Sequence, residues 1–334
     1  MANLTTRFFG LELKSPVIIG SSGLTSSVEK IQMLEKFGAG AVVLKSVFEE
    51  EIYAEYEIEF NKQSIGYANQ EYLDYFDYEI KNNKVKYYLQ LISEAKNSGV
   101  KIPIVASINC TSGSDWAFFA KKLATAGADA LELNLFVIPS DVERDAQNVR
   151  NYYFNTIKKV IAEVSIPVTI KISPYFSDLA LMIKDLSETG IAGITLFNRF
   201  YNVDIDIDTK ELVPAKVLSY PFEYLESLRW IGITSPIVKC NLAASTGVQD
   251  YQTAIKMLMA GASAVQVVSG VYKHGYDFIE EINKGISRWM DANNYENLND
   301  LVGIANSKKV KNPTLYERVQ FMKHFGGFTG SEEE

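Results

Sequence analysis

The chain has 334 residues and a formal net charge of −8, a length that suits one large barrel or two ordinary domains. Its acidic balance, with a pI near 5.1, is the reverse of the basic stripe that nucleic acid requires, so small molecules are the expected partners. Two cysteines, Cys110 and Cys240, and two histidines, His274 and His324, are too scattered for a disulfide frame or a metal site. No apolar run reaches the roughly 18 residues of a spanning helix, and Met1 to Lys14 lacks the apolar core of a signal peptide. A cytoplasmic protein without metal or membrane contact is expected.

In chain order, Pro16 to Gly20 reads as the first strand, followed by the small-residue turn Ser21-Ser22-Gly23-Leu24. Ser26 or Ser27 caps a helix over Val28 to Phe37, with Glu29 in its first turn, where free N–H groups favour negative charge. Gly38-Ala39-Gly40 ends that helix, Ala41 to Leu44 is the second strand, and Lys45-Ser46 stands directly after it. Lys45 is either a solvated strand-exit lysine or a cation that holds an electron-rich ring or developing negative charge. From Val47 to Asn83 the alternation breaks into an acidic, tyrosine-rich insertion that contains Asn69. A connection this long in a compact domain is usually a lid or a binding loop.

Regularity then returns. Helix Lys84 to Ser98 precedes strand Ile102 to Ile108, helix Asp115 to Ala126 precedes Ala130 to Leu133, and helix Ala146 to Val164 precedes Pro167 to Ile172. Helix Asp178 to Thr189 leads to strand Gly193 to Phe197, helix Pro221 to Trp230 to strand Pro236 to Lys239, and helix Tyr251 to Ala260 to strand Ala264 to Val268. Eight strands alternating with helices indicate the α/β class and a (β/α)8 TIM barrel. The expected barrel spans residues 1–290, with the 47–83 insertion after strand two near the working face and a C-terminal extension over 291–334. A doubly wound open sheet is the alternative, but its early Gly-x-Gly-x-x-Gly is missing after the first strand.

Ser235 to Gly275 is the clearest unit. Small residues, Ala243 to Gly247 and Ser269-Gly270, follow its two strands. They serve either tight packing or a phosphate cradle of backbone N–H groups. Polar residues end otherwise apolar strands, among them Asn109, Asn134, Lys171, Ser173, Asn198, Lys239 and Asn241. They form no carboxylate pair, Ser-His-Asp set or metal cluster, so a bound cofactor is expected to carry the chemistry.

Pro16 to Thr25, the stretch GAGAVVLKS over Gly38 to Ser46, Glu132-Leu133-Asn134-Leu135, Lys171 to Phe176, Thr195 to Asn198 and Ser245 to Gly275 occur in a meaningful order. In that order they resemble the dihydroorotate dehydrogenase family, the soluble class 1 type in particular, over roughly Asn3 to Met290. The resemblance implies an FMN-binding barrel that passes hydride between a small substrate, of the dihydropyrimidine type, and flavin N5. It implies that Ser21, Ser22 and Gly23 line the flavin and that Lys45 and Ser46 contact flavin and substrate. It also implies that Asn69, Asn134 and Asn198 bind substrate, that Lys171 sits by the flavin's N1/O2 edge, and that backbone near Leu242, Ala243, Val268 and Ser269 holds the phosphate.

The departures bear on the substrate. Where the family continues its Asn-Leu with Ser-Cys-Pro-Asn, this chain has Phe136-Val137-Ile138-Pro139 after Asn134-Leu135, and neither Val137 nor Ile138 accepts a proton. Ser140 or Cys110 is the replacement base, or the substrate is another one, such as an anion paired with Arg199, which stands where the family has serine. Two further readings stay open. One is a non-redox aldolase or isomerase barrel with Lys171 as Schiff-base lysine; the other is a flavoprotein retained for electron transfer. With no iron–sulfur cysteine cluster in the sequence, such a centre would belong to a separate electron-transfer subunit. A homodimer is the other expected assembly.

Overall fold

The computed structural model describes residues 2–48, 85–110, 113–200 and 202–317. The chain opens with a hairpin, β1 (Thr6–Phe8) and β2 (Leu11–Leu13), and then forms β3 (Val17–Ile19). Helix α1 (Val28–Lys36), capped by the Ser27 hydroxyl, leads to β4 (Ala41–Val43), which β5 (Val47–Phe48) continues past a break. Four helix–strand units follow. They are α2 (residues 85–97) with β6 (Ile104–Asn109), α3 (Gly113–Thr125) with β7 (Ala130–Asn134), α4 (Ala146–Glu163) with β8 (Val168–Ile172), and α5 (Leu179–Ser187) with β9 (Gly193–Leu196).

A second hairpin, β10 (Val203–Ile205) and β11 (Leu212–Pro214), precedes α6 (Tyr224–Thr234) and β12 (Asn241–Ser245). The barrel is completed by α7 (Tyr251–Ala260) and β13 (Ala264–Val267), and the chain continues through α8 (Ser269–His274), α9 (Asp277–Ala292), α10 (Leu298–Leu301) and α11 (Thr314–Glu317). Neighbouring strands run β4-β3-β13-β12-β9-β8-β7-β6, all parallel, and β4 pairs with β6 to close the ring. The expected (β/α)8 barrel is therefore the fold. Both faces of this sheet are covered, which is why strands such as Val17-Ile18-Ile19 are buried throughout.

Side chains alternate across each strand, so residues two apart share a face. Inside the barrel, Ala41, Ala130, Ala243 and Ala264 pack in one cluster with Phe8, Phe9 and Leu13 of the N-terminal hairpin. Small residues make the room that the two phenylalanines fill. A Cβ added at Gly193 would lie 2.7 Å from the Phe8 ring, so β9 needs glycine at that level. The hairpin thus plugs one end of the barrel, a role its short, partly polar sequence did not suggest.

Among the described residues, the seventh strand is the one misplaced element. The β-branched run at Pro236 to Lys239 is not a strand; Ile237 and Val238 donate backbone hydrogen bonds to Thr234 at the end of α6. The strand is Asn241–Ser245, which runs into the stretch Ala243 to Gly247 read as a small-residue turn. Ala243 of this strand packs in the cluster with the Phe8 and Phe9 plug, and this packing demand overrides local β-propensity. The register error moves Lys239 and Asn241 to the end of the barrel where β12 starts. There Lys239 pairs with Glu188 at 3.2 Å and Asn241 donates to the Ser263 hydroxyl.

The segment after α9 packs on the barrel. Gly303 N–H donates to Leu258 O, Ala305 to Met259 O and Ser307 to Gly232 O, which ties it to α6 and α7. Replacing Phe8 by alanine is expected to cost about 3–5 kcal/mol, read from denaturant midpoints at unchanged m-value. A cost below about 1 kcal/mol would show that the plug packs loosely.

Candidate active site

At the ends of the strands opposite the plug lies a cavity of about 290 Å³. Ser21 reaches it from the loop after β3, Lys171 from β8, Asn198 and Arg199 from the loop after β9, and Gln266 from β13. Ser245 to Val248 and Val267 to Ser269 close one side, and Val217 and Ser219 come over it from the segment after β11. Parallel strands deliver all of these to one end, the end on which barrel enzymes build their sites.

One layer above the aromatic plug, on the same strands, the interior turns polar. Glu132 is fully buried; its Oε2 accepts from Thr195 Oγ1 at 2.9 Å and from Gln266 Nε2 at 2.5 Å. Gln266 Oε1 in turn accepts from Lys171 Nζ at 2.9 Å. Burial pulls the Lys171 ammonium below the ordinary lysine range, and the Glu132 charge opposes that pull. Beside this group, Asn198 Nδ2 donates to Asn134 Oδ1 at 2.7 Å. A hydroxyl cluster lies on the other side, with Ser21 Oγ 3.1 Å from Ser46 Oγ and Ser46 Oγ 2.7 Å from Ser107 Oγ. Tyr88 OH accepts from the Ser107 N–H at 3.1 Å.

A strap formed by residues 215–223 is fastened across the cavity. Arg199 Nε donates to Glu223 Oε2 at 2.7 Å and Nη2 to Glu223 Oε1 at 3.1 Å, while Nη1 reaches Val217 O at 2.7 Å. Ser219 N–H donates to Ser269 Oγ at 2.9 Å, and its carbonyl accepts from Lys273 Nζ and Gln249 Nε2. Burial alone would raise the Glu223 carboxyl, but hydrogen bonds from Arg199 and the Tyr220 N–H, with the Arg199 and Lys273 charges, hold it below its usual value.

The structure brings together Ser21, Lys171, Asn198, Val268 and Ser269 at the cavity, with Asn134 and Ser46 bonded to members of that group. Ser22 and Gly23 form the turn behind Ser21, the Ser22 hydroxyl accepting from Leu24 N–H. Leu242 and Ala243 are placed inside β12 with buried side chains, so the backbone at the cavity is that of Thr246 and Gly247 instead. Arg199 lines the cavity but spends its guanidinium on the strap, which removes the expectation that it pairs with a substrate anion. Lys45 is exposed beside Ser46. Ser140 is exposed, with its N–H bonded to Ile138 O. Cys110 is buried in the apolar core, its carbonyl accepting from Tyr152 OH at 3.0 Å. Asn69 lies outside the described residues, as does most of the 47–83 insertion.

Glu132, Thr195, Gln266, Ser107 and Ser219 escaped the sequence reading. For Glu132 and Gln266 the signal was present, since each is a polar residue in the middle of an otherwise apolar strand. Such residues are buried at a cost unless they are hydrogen-bonded. The donors and acceptors present suit a ligand with a phosphate and an electron-accepting ring. Lys171 supplies a cation. Thr246 and Gly247, at φ 77° and 74°, turn the backbone tightly past the cavity, and a Cβ on Gly247 would lie 2.3 Å from Tyr224 N. Among the described residues no group of three or more His, Cys, Asp or Glu is placed to hold a metal ion. Nor is any helix among them long and apolar enough to cross a membrane.

The profile of the dihydroorotate dehydrogenase family matches residues 3–290. Among curated proteins, the chain is 26% identical over 310 residues to the dihydroorotate dehydrogenase B (NAD(+)), catalytic subunit, of Pyrococcus abyssi, covering 90% of this chain and 99% of that one. The proteins of the same name from Methanosarcina acetivorans and Thermococcus kodakarensis are each 27% identical. These matches cover 91% of this chain in both cases, and 96% and 99% of theirs.

Because the Glu223 value is lowered in the fold, the Arg199 clasp is complete at neutral pH and is lost only as pH falls below the ordinary glutamate value of about 4.3. At neutral pH, Arg199→Met is expected to speed tryptic cleavage after Lys216 by about tenfold, equivalent to roughly 1.4 kcal/mol of lost closure. Equal cleavage rates would mean that the Ser219 contacts alone hold the strap.

Proposed function

The chain belongs to the dihydroorotate dehydrogenase family, and on that premise we propose that it binds FMN and passes hydride between it and a ring amide of the dihydropyrimidine class. Membership makes it a flavin-dependent oxidoreductase acting on CH–CH bonds and sets aside the non-redox barrel. Its relatives carry the name catalytic subunit, which supports a separate electron-transfer subunit as partner. We place the pair in the cytoplasm, with pyrimidine synthesis as the setting.

The observation that carries the substrate class is the Asn134–Asn198 pair. One amide hydrogen bond joins the two side chains, which leaves the Asn198 carbonyl and the Asn134 amino group free to match a cyclic –CO–NH– edge. Lys171, held by Gln266, presents its ammonium to the same cavity, where it would hold the electron-rich edge of the flavin ring. The N–H groups of Thr246, Gly247 and the Val268–Ser269 turn would hold the phosphate. Bound FMN supplies the hydride acceptor, and the protein supplies position, charge and exclusion of water.

Proton removal from the substrate falls to a loop without the family's base. Val137 is half-buried and Ile138 exposed, and next to them Phe136 packs edge-to-face on Phe200, with centroids 5.2 Å apart. Ser140 Oγ is our assignment for the proton acceptor, because it is solvent-accessible on this loop while Cys110 is enclosed in the core. The aromatic contacts favour one second reading. Phe200 also meets Tyr175 at 4.9 Å, and such a wall suits a substrate that carries an apolar group next to its amide.

Anaerobic titration of the FMN-loaded protein with dihydroorotate is expected to bleach the oxidised flavin bands. An unchanged spectrum would reject dihydroorotate and leave the second reading. Ser140→Ala should lower the reduction rate by about 10²-fold or more, the usual contribution of a general base, and Cys110→Ala should leave it within about twofold. Asn134→Ala should raise KM about ten- to hundredfold through the loss of charge-free hydrogen bonds to a buried ligand.

A further inference from the structure

The polar layer inside the barrel assigns roles to two residues that lie beyond the expected site. We infer that Glu132 and Gln266 are positioning residues which keep Lys171 protonated and aimed into the cavity. A carboxylate only accepts hydrogen bonds and an ammonium only donates them. The Gln266 amide between them can therefore stand one way, Nε2 toward Glu132 at 2.5 Å and Oε1 toward Lys171 at 2.9 Å. The charge of Glu132 thus orients the amide, and the amide orients the lysine.

The arrangement is costlier than packing needs. Glu132 is fully buried, and its second oxygen, Oε1, has no hydrogen-bond partner among the described residues. A structural layer of this size would be served as well by apolar side chains. An unspent negative charge inside the barrel has its effect on the cation nearby. The groups around Lys171 come from each strand packed against it: Glu132 on β7, Thr195 on β9 and Gln266 on β13. Tyr88 on α2 also feels Glu132, and burial together with that charge pushes its phenol above the ordinary range, so it stays neutral. Glu132 is the charge opposing the desolvation of Lys171.

The inference rests on the proposed flavin site for its purpose, and its test is independent of flavin. In the apoprotein, competitive acetylation of lysines with acetic anhydride from pH 6 to 11, resolved by mass spectrometry, gives the titration midpoint of Lys171, with exposed Lys239 as internal reference. Glu132→Gln keeps shape and removes charge; it is expected to lower the Lys171 midpoint by about one unit or more, with Lys239 unchanged. Gln266→Leu, which removes the accepting oxygen, should lower it as well.

A Lys171 midpoint equal to wild type in Glu132→Gln overturns the inference. If that variant does not fold, Gln266→Leu decides alone by the same criterion. In a parallel titration of FMN fluorescence, wild type should bind and Glu132→Gln should bind about tenfold more weakly. Failure of wild type to bind would reject the cofactor reading while the labelling result still judges the network.

Discussion

A carboxylate buried at the centre of a barrel is the constraint around which this molecule is arranged. Its burial is offset by hydrogen bonds that Thr195 on β9 and Gln266 on β13 donate to it, and Lys171 on β8 joins the network through Gln266. That geometry requires β7, β8, β9 and β13 to be in fixed register, which the parallel ladder provides. Below the polar layer, the Phe8 and Phe9 plug keeps water out from the far end. The barrel interior is therefore sealed on one side and polar on the other, and the site takes its floor from that boundary.

Above this floor the loops divide the work. Those after β12 and β13 contribute turns of small residues, suited to backbone contacts with a phosphate. The loop after β9 contributes Asn198 toward the cavity and Arg199 toward the strap. Arg199 is a residue whose charge is used inside the protein. Its planar guanidinium satisfies a carboxylate and two carbonyls at once, a task for which lysine has the wrong shape. The strap in turn covers part of the cavity, where charges act through a lower effective dielectric than in open water.

On the proposed reading, the chain joins a flavin-binding side to an apolar loop after β7. Lys171, Asn134, Asn198 and the turns beside β12 and β13 are the groups proposed to hold the flavin and a ring amide. The loop after β7 is apolar at Phe136 to Ile138, and Phe136 meets Phe200, which in turn meets Tyr175. On that proposal, hydride transfer would depend on the first set and proton transfer on the second, so the apolar loop would bear on which substrate is used and how fast its proton leaves.

The sequence by itself determined the class of fold, because apolar strands alternating with amphipathic helices, most of them closed by a glycine, leave few arrangements that bury every face. It also pointed to several members of the candidate site, since Asn134, Lys171 and Asn198 are polar residues at or near the ends of buried strands and lie at or beside the cavity. Only the tertiary structure decided the seventh strand, where the need for a small side chain, Ala243, in the cluster with Phe8 and Phe9 outweighed the β-branched run at Pro236 to Lys239. It alone decided that Arg199 clasps Glu223, because those residues meet through a strap whose path no local pattern records. The same holds for the chain from Glu132 to Lys171. Each member is visible as an odd residue in its own strand, but a hydrogen-bond network across three strands exists only once the barrel closes and sets their register.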